Sequence, residues 1–262
     1  MLTEEDRKAV AEALYQADIG CKVIPQPSKT WPGIELADAY AIQALWADKR
    51  IASGARIIGH KIGLTSRAMQ KASQITEPDY GVMLDDALFR DGATIAADRF
   101  VRPRLEVELA FVLGDDLYGP SCEVHDVLRA TEYVSPALEI IDYRTEVPSA
   151  ITDTIADNAA FGAIVLGGRV VRPFDVDLCR VGATLIQNGV IEETGLSAAV
   201  MGHPAAGVAW LVRKLHAVGT KLKKGHIVLA GSFTRPVDVR SGDVITADYG
   251  PMGTISVAFQ KD

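Results

Sequence analysis

Apolar and polar side chains alternate along residues 104–113, a pattern that predicts a long β-strand. Every odd-numbered position of this segment is apolar, whereas the opposite face carries Glu106 and Glu108 and then continues with apolar residues. A face of that composition is expected to be covered by other parts of the protein. Two ionised carboxylates about 7 Å apart on a covered face are unfavourable unless a cation lies between them.

A second apolar segment, residues 133–142, predicts another strand and contains Glu139 within a run of leucine and isoleucine. An acidic residue in such a run is rarely buried unless it is paired. Together with Glu106 and Glu108 it would form a three-carboxylate site on neighbouring strands. Oxygen ligands of this kind suit Mg²⁺, Mn²⁺ or Ca²⁺.

Simpler explanations of the three acids are open at this stage. The two glutamates of the first strand could form buried salt bridges or mark a strand end that faces water, and Glu139 could pair with a nearby arginine. The candidate cations are Arg102, Arg104 and Arg144.

The N-terminal part of the chain predicts two helices, one capped by Thr3 and ended by Gly20, and one over residues 36–53. We expect them to form a helical subregion, residues 1–56, in front of a β-rich catalytic domain, residues 57–262. The two regions are expected to work as one functional unit.

The rest of the chain is rich in predicted strands. Ser121 is predicted to cap a helix that ends near Thr131, and Pro204 to open another. Asn188-Gly189 lies between two short strand-like segments and predicts a hairpin with a type I′ turn. Because strands cluster in runs instead of alternating with helices, the chain predicts an α+β fold with a mixed, largely antiparallel sheet system.

Two further residues are candidates for proton transfer or anion binding. Lys61 lies in a short apolar strand within residues 59–66. Gly59 and Gly63, on either side of it, allow a ligand to approach the backbone closely. The alternative explanation is that Lys61 is a surface residue, with the aliphatic part of its side chain buried and its ammonium group in water. Asp79 falls in residues 77–81, which read as a turn, where an aspartate is commonly just a turn former.

Composition narrows the class of protein. The 262 residues are 48% hydrophobic and 23% charged, which is ordinary for a soluble globular protein, and the formal net charge of −7 argues against a nucleic-acid partner. Three scattered cysteines without a C-x-x-C pair fit a reducing cytoplasm. The acidic start predicts no signal peptide, and the lack of a long apolar run predicts no membrane span.

These motifs resemble the fumarylacetoacetate hydrolase-like superfamily, in its branch of hydratases and decarboxylases from aromatic meta-cleavage pathways. The resemblance rests on segments 59–66 (GHKIGLTS), 77–81 (EPDYG), 103–110 (PRLEVELA), 136–142 (PALEIID), 157–159 (DNA) and 231–236 (GSFTRP). It implies a mixed β-sandwich roll with flanking helices, assembled as a homo-oligomer. It also implies that Glu106, Glu108 and Glu139 bind Mg²⁺ or Mn²⁺.

The resemblance further implies a lyase that adds water to a 2-hydroxy-2,4-dienoate or its 2-oxo tautomer, with a seven-carbon dicarboxylate as the expected substrate. Lys61 and Asp79 are the implied acid–base residues. Ser232, Thr234 and Arg235 are the implied substrate-binding residues; Arg235 could meet a second carboxylate by a bidentate pair, and the alternative is a purely structural role.

Several alternatives share the same residues. A decarboxylase of the 4-oxalocrotonate type would use the same metal site, and so would a hydratase of a five-carbon monoacid. Hydrolysis of a 1,3-diketone is less favoured, because the five histidines are dispersed and none forms a convincing pair with an acid that would activate water. A non-catalytic partner subunit is disfavoured by the intact set of three glutamates together with Lys61.

Overall fold

The computed structural model describes residues 1–260 of the chain; Lys261 and Asp262, the end of the predicted β-rich region, lie outside the described residues. The helices of this part are α1 (Glu4–Ile19), α2 (Pro27–Thr30), α3 (Leu36–Ala52), α4 (Arg67–Ala72), α5 (Val124–Ala130), α6 (Ile151–Ala156) and α7 (Pro204–Ala217). None of them combines the length and the apolar composition that a membrane crossing requires.

The strands form two sheets. They are β1 (Ile57–Gly63), β2 (Asp79–Leu84), β3 (Leu88–Arg90), β4 (Ala93–Ile95), β5 (Arg104–Leu113), β6 (Thr131–Ile141), β7 (Phe161–Leu166), β8 (Gly182–Gln187), β9 (Val190–Leu196), β10 (Ile227–Leu229), β11 (Val237–Asp238), β12 (Val244–Asp248) and β13 (Thr254–Phe259). The large sheet has the order β2-β1-β10-β5-β6-β7-β3, with β11 also paired to β5, and the small sheet has the order β4-β13-β12-β8-β9.

Most strand pairs are antiparallel, and the parallel ones are β1–β10, β3–β7 and β4–β13. The predicted α+β fold with a mixed, largely antiparallel sheet system is therefore confirmed. One apolar core joins both sheets and α7, so the centre of the large sheet is covered, as the apolar continuation of the Glu106 face predicted. The predicted hairpin is also confirmed, since β8 and β9 flank Asn188 and Gly189, whose φ values of 52° and 85° fit a type I′ turn.

The two predicted N-terminal helices form at the expected positions, as α1 and α3. The Thr3 side chain accepts a hydrogen bond from the Asp6 backbone N–H and caps α1. A second apolar cluster packs these helices onto Val82 and Leu84 of β2 and onto α6. The division of the chain at residue 56 into a helical and a β-rich region stays a prediction.

Two local predictions were wrong. Residues 79–81 do not form a turn, because Asp79 pairs with Gly63 and starts β2, a long-range contact that local turn preferences do not include. The helix assigned to Ser121 begins later, at α5, where the Glu123 backbone N–H donates to the Asp126 carboxylate at 2.9 Å.

Candidate metal centre and active site

The register of β5 and β6 brings the three predicted carboxylates together. The two strands are adjacent and antiparallel, and Glu106 lies directly opposite Glu139, while Glu108 lies opposite Ala137. Because side chains two residues apart share a face, all three glutamates project from the same face of the sheet. One oxygen from each lies within 4.8 Å of the others, so the predicted cluster forms.

Burial makes this cluster electrostatically unfavourable by itself. Glu108 and Glu139 are fully buried and Glu106 is partly buried. Burial, and then the neighbouring Glu139, raise the pKa of Glu106 to about 8, and the same two causes raise the pKa of Glu108 well above its usual range. Among residues 1–260, no hydrogen-bond donor reaches Oε1 of Glu108 or either carboxylate oxygen of Glu139.

The simpler explanations from arginine pairing do not apply. Arg144 pairs with Asp157, with 2.5 Å between Nε and Oδ1, so it is not the partner of Glu139. The Arg104 guanidinium lies over the Tyr143 ring, 5.4 Å from its centroid. Within residues 1–260, no salt bridge joins Arg102 or Arg104 to the glutamates of β5.

The donor set fits a divalent cation. It consists only of carboxylate oxygens, the ligands preferred by hard cations such as Mg²⁺ and Mn²⁺. Within residues 1–260, the carboxylate oxygens of Glu108 and Glu139 that lack a hydrogen-bond donor are free to coordinate a cation. A divalent charge would also offset the carboxylate repulsion that, after burial, raises the pKa of Glu106 and Glu108.

Lys61 is the cation of this cluster. Its side chain is buried in β1, and Nζ lies 3.1 Å from Oε1 of Glu139, although the contact is not aligned as a hydrogen bond. Burial lowers the pKa of Lys61, but the surrounding carboxylates, with Glu139 first, raise it by more, so the net shift is upward. The explanation of Lys61 as a surface residue with a buried stem is therefore wrong.

Asp79 reaches the same region from β2. Its side chain is buried, and its Oδ1 has no hydrogen-bond partner in the described part of the chain. Burial raises the pKa of Asp79, and the nearby Lys61 ammonium opposes this shift. The structure thus brings Asp79 close to Lys61, as expected of an acid–base pair; the catalytic role of both residues stays a prediction.

Gly63 makes this approach possible. A Cβ added to Gly63 would lie 2.1 Å from Oδ1 of Asp79 and 3.3 Å from Nζ of Lys61. The first distance is far below van der Waals contact, so any side chain here would displace the Asp79 carboxylate. Gly63 was predicted to allow close approach by a ligand, but the group that approaches it is a side chain of the protein itself.

The segment that carries Ser232, Thr234 and Arg235 follows β10 and runs along β5. Both hydroxyls are engaged with backbone groups: Oγ of Ser232 donates to the Thr234 carbonyl at 2.9 Å, and Oγ1 of Thr234 accepts from the Val107 N–H at 3.2 Å. Arg235 is 83% exposed and pairs with Glu193 of β9 at 2.7 Å. The roles of these three residues in substrate binding stay predictions.

A cavity of about 1360 Å³ reaches Arg104 at the start of β5, although the three glutamates, Lys61 and Asp79 are not among its lining residues. Its wall includes Arg104, which is two residues from Glu106 on the same face of β5, together with Tyr143, Leu64 and the segment 145–151. Arg102 and Lys29 also line the cavity, whereas Arg235 is not among its lining residues. The cavity offers a substrate both apolar contacts and positive charge.

Sequence reasoning missed two groups that hold Glu108. The Gly231 N–H donates to its Oε2 at 2.9 Å, and the Tyr249 hydroxyl lies 3.0 Å from its backbone carbonyl oxygen. Gly231 belongs to a motif that the sequence analysis singled out, and its φ of +119° marks a backbone position suited to glycine. Tyr249 follows an ordinary strand, and no local pattern identified it.

The fold and the carboxylate cluster define a known family of metal-dependent enzymes. The family model for the fumarylacetoacetate (FAA) hydrolase C-terminal region matches residues 53–260. The chain therefore belongs to the fumarylacetoacetate hydrolase family, and the resemblance stated from the motifs is confirmed.

Full-length relatives show where in this family the chain lies. It is 50% identical to the 2-oxo-hept-4-ene-1,7-dioate hydratase of Escherichia coli, over 99% of this chain and 100% of that protein. It is 37% identical to a 2-keto-4-pentenoate hydratase of Paraburkholderia xenovorans, over 100% and 97% of the two chains. A structure of 4-oxalocrotonate decarboxylase from Pseudomonas putida G7, complexed with magnesium and adipate, superposes with a TM-score of 0.96 at 34% identity and covers 99% of each chain. The predicted fold is confirmed.

The raised pKa of Glu106 predicts how metal binding depends on pH. A carboxyl whose pKa is raised binds more protons in the folded protein than in the unfolded chain, so the metal-free protein should lose stability as pH rises from about 5 towards 8. Metal binding must displace these protons and should strengthen over the same range. We expect Mg²⁺ to raise the melting temperature more at about pH 8 than at about pH 6.

Differential scanning fluorimetry after chelation and Mg²⁺ titration measures this effect. Glu108→Ala should abolish the Mg²⁺-dependent shift, whereas Glu192→Ala, which removes an exposed glutamate of β9, should preserve it. A shift that is equal at both pH values, or that survives in Glu108→Ala, would contradict the assignment of the cluster.

The steric role of Gly63 predicts a selective loss of turnover. Gly63→Ala should move the Asp79 carboxylate away from Lys61 and lower turnover by roughly 10²-fold, the lower range for a positioned acid–base group. The Mg²⁺-dependent melting shift should remain, because the glutamates are untouched. Gly182→Ala is the matched control, since its added Cβ would lie 3.8 Å from the nearest atom. Wild-type turnover in Gly63→Ala would show that the close approach is not needed.

Proposed function

We propose that this protein is a divalent-metal-dependent hydratase that converts 2-oxohept-4-ene-1,7-dioate to 4-hydroxy-2-oxoheptanedioate in the meta-cleavage catabolism of aromatic compounds. The observation that carries the proposal is the buried Lys61, 3.1 Å from Glu139 of the three-carboxylate cluster and close to Asp79. The 50% identity to a hydratase of this substrate over the full chain supports the choice of reaction and substrate.

Glu106, Glu108 and Glu139 would hold Mg²⁺ or Mn²⁺, which when bound supplies Lewis-acid stabilisation of negative charge on the substrate's C2 oxygen. Three carboxylates and one divalent ion leave one net negative charge before an anionic substrate enters. Lys61 offsets this charge with its ammonium group. The buried setting strengthens the electrostatic effect of each of these groups.

Lys61 and Asp79 supply the proton transfers that hydration requires. The ammonium of Lys61, which the neighbouring carboxylates keep charged, delivers a proton to C5 of the dienol. The 2-hydroxyl proton that is released as the ketone forms is returned at C3 after water has added at C4. The Asp79 carboxylate, whose Oδ1 has no hydrogen-bond partner among residues 1–260, takes a proton from that water. Proton return from Asp79 to Lys61 restores the starting state.

Decarboxylation is the second candidate, because a 4-oxalocrotonate decarboxylase shares the fold at a TM-score of 0.96. It needs the same stabilisation of charge at C2 and a later protonation of carbon. It does not need water activated at C4. A test that follows the oxygen of water therefore separates the two reactions.

The proposed roles predict the products and the effect of replacing Lys61. In H₂¹⁸O the wild type should place the label in a C4 hydroxyl, as measured by mass spectrometry. Lys61→Ala should lose roughly 10²–10⁴-fold in turnover and keep its metal binding. Lys61→Arg should not recover, because a guanidinium keeps its proton near neutral pH. Lys8→Ala, which removes an exposed lysine of α1 that pairs with Glu4, is the matched control. An unlabelled product that is one CO₂ lighter would reassign the protein as a decarboxylase.

The proposed substrate carries a second carboxylate, and Arg104 is a suitable partner for it in addition to Arg235. Arg104 lines the cavity on the same face as Glu106 and has no acidic partner within salt-bridge distance among residues 1–260. Arg235 is already paired with Glu193 and is largely exposed. A second carboxylate held by Arg104 would orient the carbon chain along β5.

Matched inert ligands test this pairing. 2-Oxoheptanedioate and 2-oxoheptanoate differ only in the distal carboxylate, and neither has a double bond to hydrate. In calorimetric titrations in the presence of Mg²⁺, Arg104→Met should weaken the binding of the dicarboxylate by about 2 kcal/mol and leave the binding of the monoacid nearly unchanged. Arg102→Met and Arg235→Ala are measured in parallel. Selective loss in Arg235→Ala alone would return the role to Arg235, and a wild type that prefers the monoacid would favour a pentadienoate hydratase.

We also propose that the protein works in the cytoplasm as a homo-oligomer, with a small oxo acid as its only further partner. Strand β9 at the edge of the small sheet supports self-association. Its exposed apolar side chains include Val190, Ile191 and Leu196. An exposed apolar edge of this kind is commonly covered by another chain.

A further inference from the structure

Tyr249 connects the small sheet to both strands of the metal centre. It follows β12 directly and is 1% exposed. Its hydroxyl oxygen lies 2.6 Å from the Ala137 carbonyl oxygen and 3.0 Å from the Glu108 carbonyl oxygen. A hydroxyl has one hydrogen to donate, so the two carbonyls share it, with the shorter contact to Ala137.

The two carbonyls belong to residues that face each other across the ladder. Glu108 is the register partner of Ala137, and Ala137 lies two residues before Glu139 on β6. The Tyr249 hydroxyl therefore bridges β5 and β6 next to the positions from which the carboxylates project. A change in spacing between the strands at this point would alter the distances among the carboxylate oxygens.

Glu108 is held at two points, whereas Glu139 is not. The Gly231 N–H binds the Glu108 carboxylate at 2.9 Å, and Tyr249 contacts its backbone. No hydrogen-bond donor of the described residues reaches either carboxylate oxygen of Glu139, so the position of this side chain depends on the placement of β6 and on the charge of Lys61. Within residues 1–260, Tyr249 is the side chain that binds the backbone of both metal strands at this level.

We propose that Tyr249 is a positioning residue of the metal centre. Its hydroxyl fixes β5 against β6 and so sets the affinity of the three glutamates for a divalent cation, without contacting the cation or the substrate. This inference rests on the proposed metal dependence, but it holds equally for a hydratase or a decarboxylase. Groups that orient metal ligands typically change metal affinity by about 10- to 100-fold when they are removed.

Tyr249→Phe tests the proposal, because it removes only the hydroxyl and keeps the ring that packs against Phe233. Calorimetric titration of the chelated protein with Mg²⁺ and with Mn²⁺ should show affinity weakened about tenfold or more. Turnover at saturating metal should stay within about twofold of wild type, with the metal concentration for half-maximal activity increased in parallel.

Tyr15→Phe is the matched control. It removes a hydroxyl that bonds Ser53 at 2.8 Å in the helical layer, away from the metal strands. Both variants should lower the melting temperature of the metal-free protein, but only Tyr249→Phe should weaken metal binding. If Tyr249→Phe is partly unfolded, the titrations are repeated at a lower temperature, chosen so that both variants have the circular dichroism spectrum of the folded protein.

The outcomes separate this inference from the proposed function. Equal metal affinity in folded Tyr249→Phe and wild type would overturn the positioning role and leave metal dependence intact. The metal centre itself, and the positioning role with it, would be overturned if the wild type bound neither ion. The same conclusion would follow if Glu108→Gln bound the ion with unchanged affinity. Weakened affinity in Tyr15→Phe to the same extent would show a general stability effect and also overturn the proposal.

Discussion

The repulsion among three carboxylates on one covered face of the large sheet determines how the rest of the protein is arranged. Burial and proximity raise the pKa of Glu106 and Glu108, so the cluster favours either protons or a cation. The surrounding elements supply positive charge and hydrogen-bond donors at defined points: Lys61 from β1 and the Gly231 N–H after β10. A rigid sheet can keep this arrangement because backbone pairing on both sides of β5 fixes the distances.

Much of this site could be predicted from the sequence, because its three candidate ligands lie in strands with a clear period of two. Alternation placed Glu106 and Glu108 on one face, and the isolated position of Glu139 in an apolar run marked it as paired or ligating. The pairing register of the two strands cannot be predicted in the same way. That Glu106 faces Glu139 depends on the full pairing of β5 with β6, which no local pattern specifies.

Long-range contacts explain what the sequence did not reveal. Asp79 resembled a turn residue because its neighbours favour turns, yet pairing with Gly63 draws it into a strand. Tyr249 is more than a hundred residues from Glu108, and its contact forms only when the small sheet packs on the large one. Arg235 belonged to a matching motif, but motif membership does not reveal that its guanidinium pairs with Glu193 at the surface.

Strand β2 has a consequence for how the protein responds to heat. Val82 and Leu84 belong to the apolar cluster under the N-terminal helices, whereas Met83 belongs to the main core. The Gln43 side chain of α3 also binds the Tyr80 carbonyl at 2.9 Å. Detachment of the helical layer would therefore expose one side of β2, the strand that carries Asp79, to solvent. Strands β5 and β6, which carry the glutamates, lie further inside the sheet. The proposed proton transfer and cation binding then differ in local stability, and moderate warming should abolish catalysis before a bound cation is released.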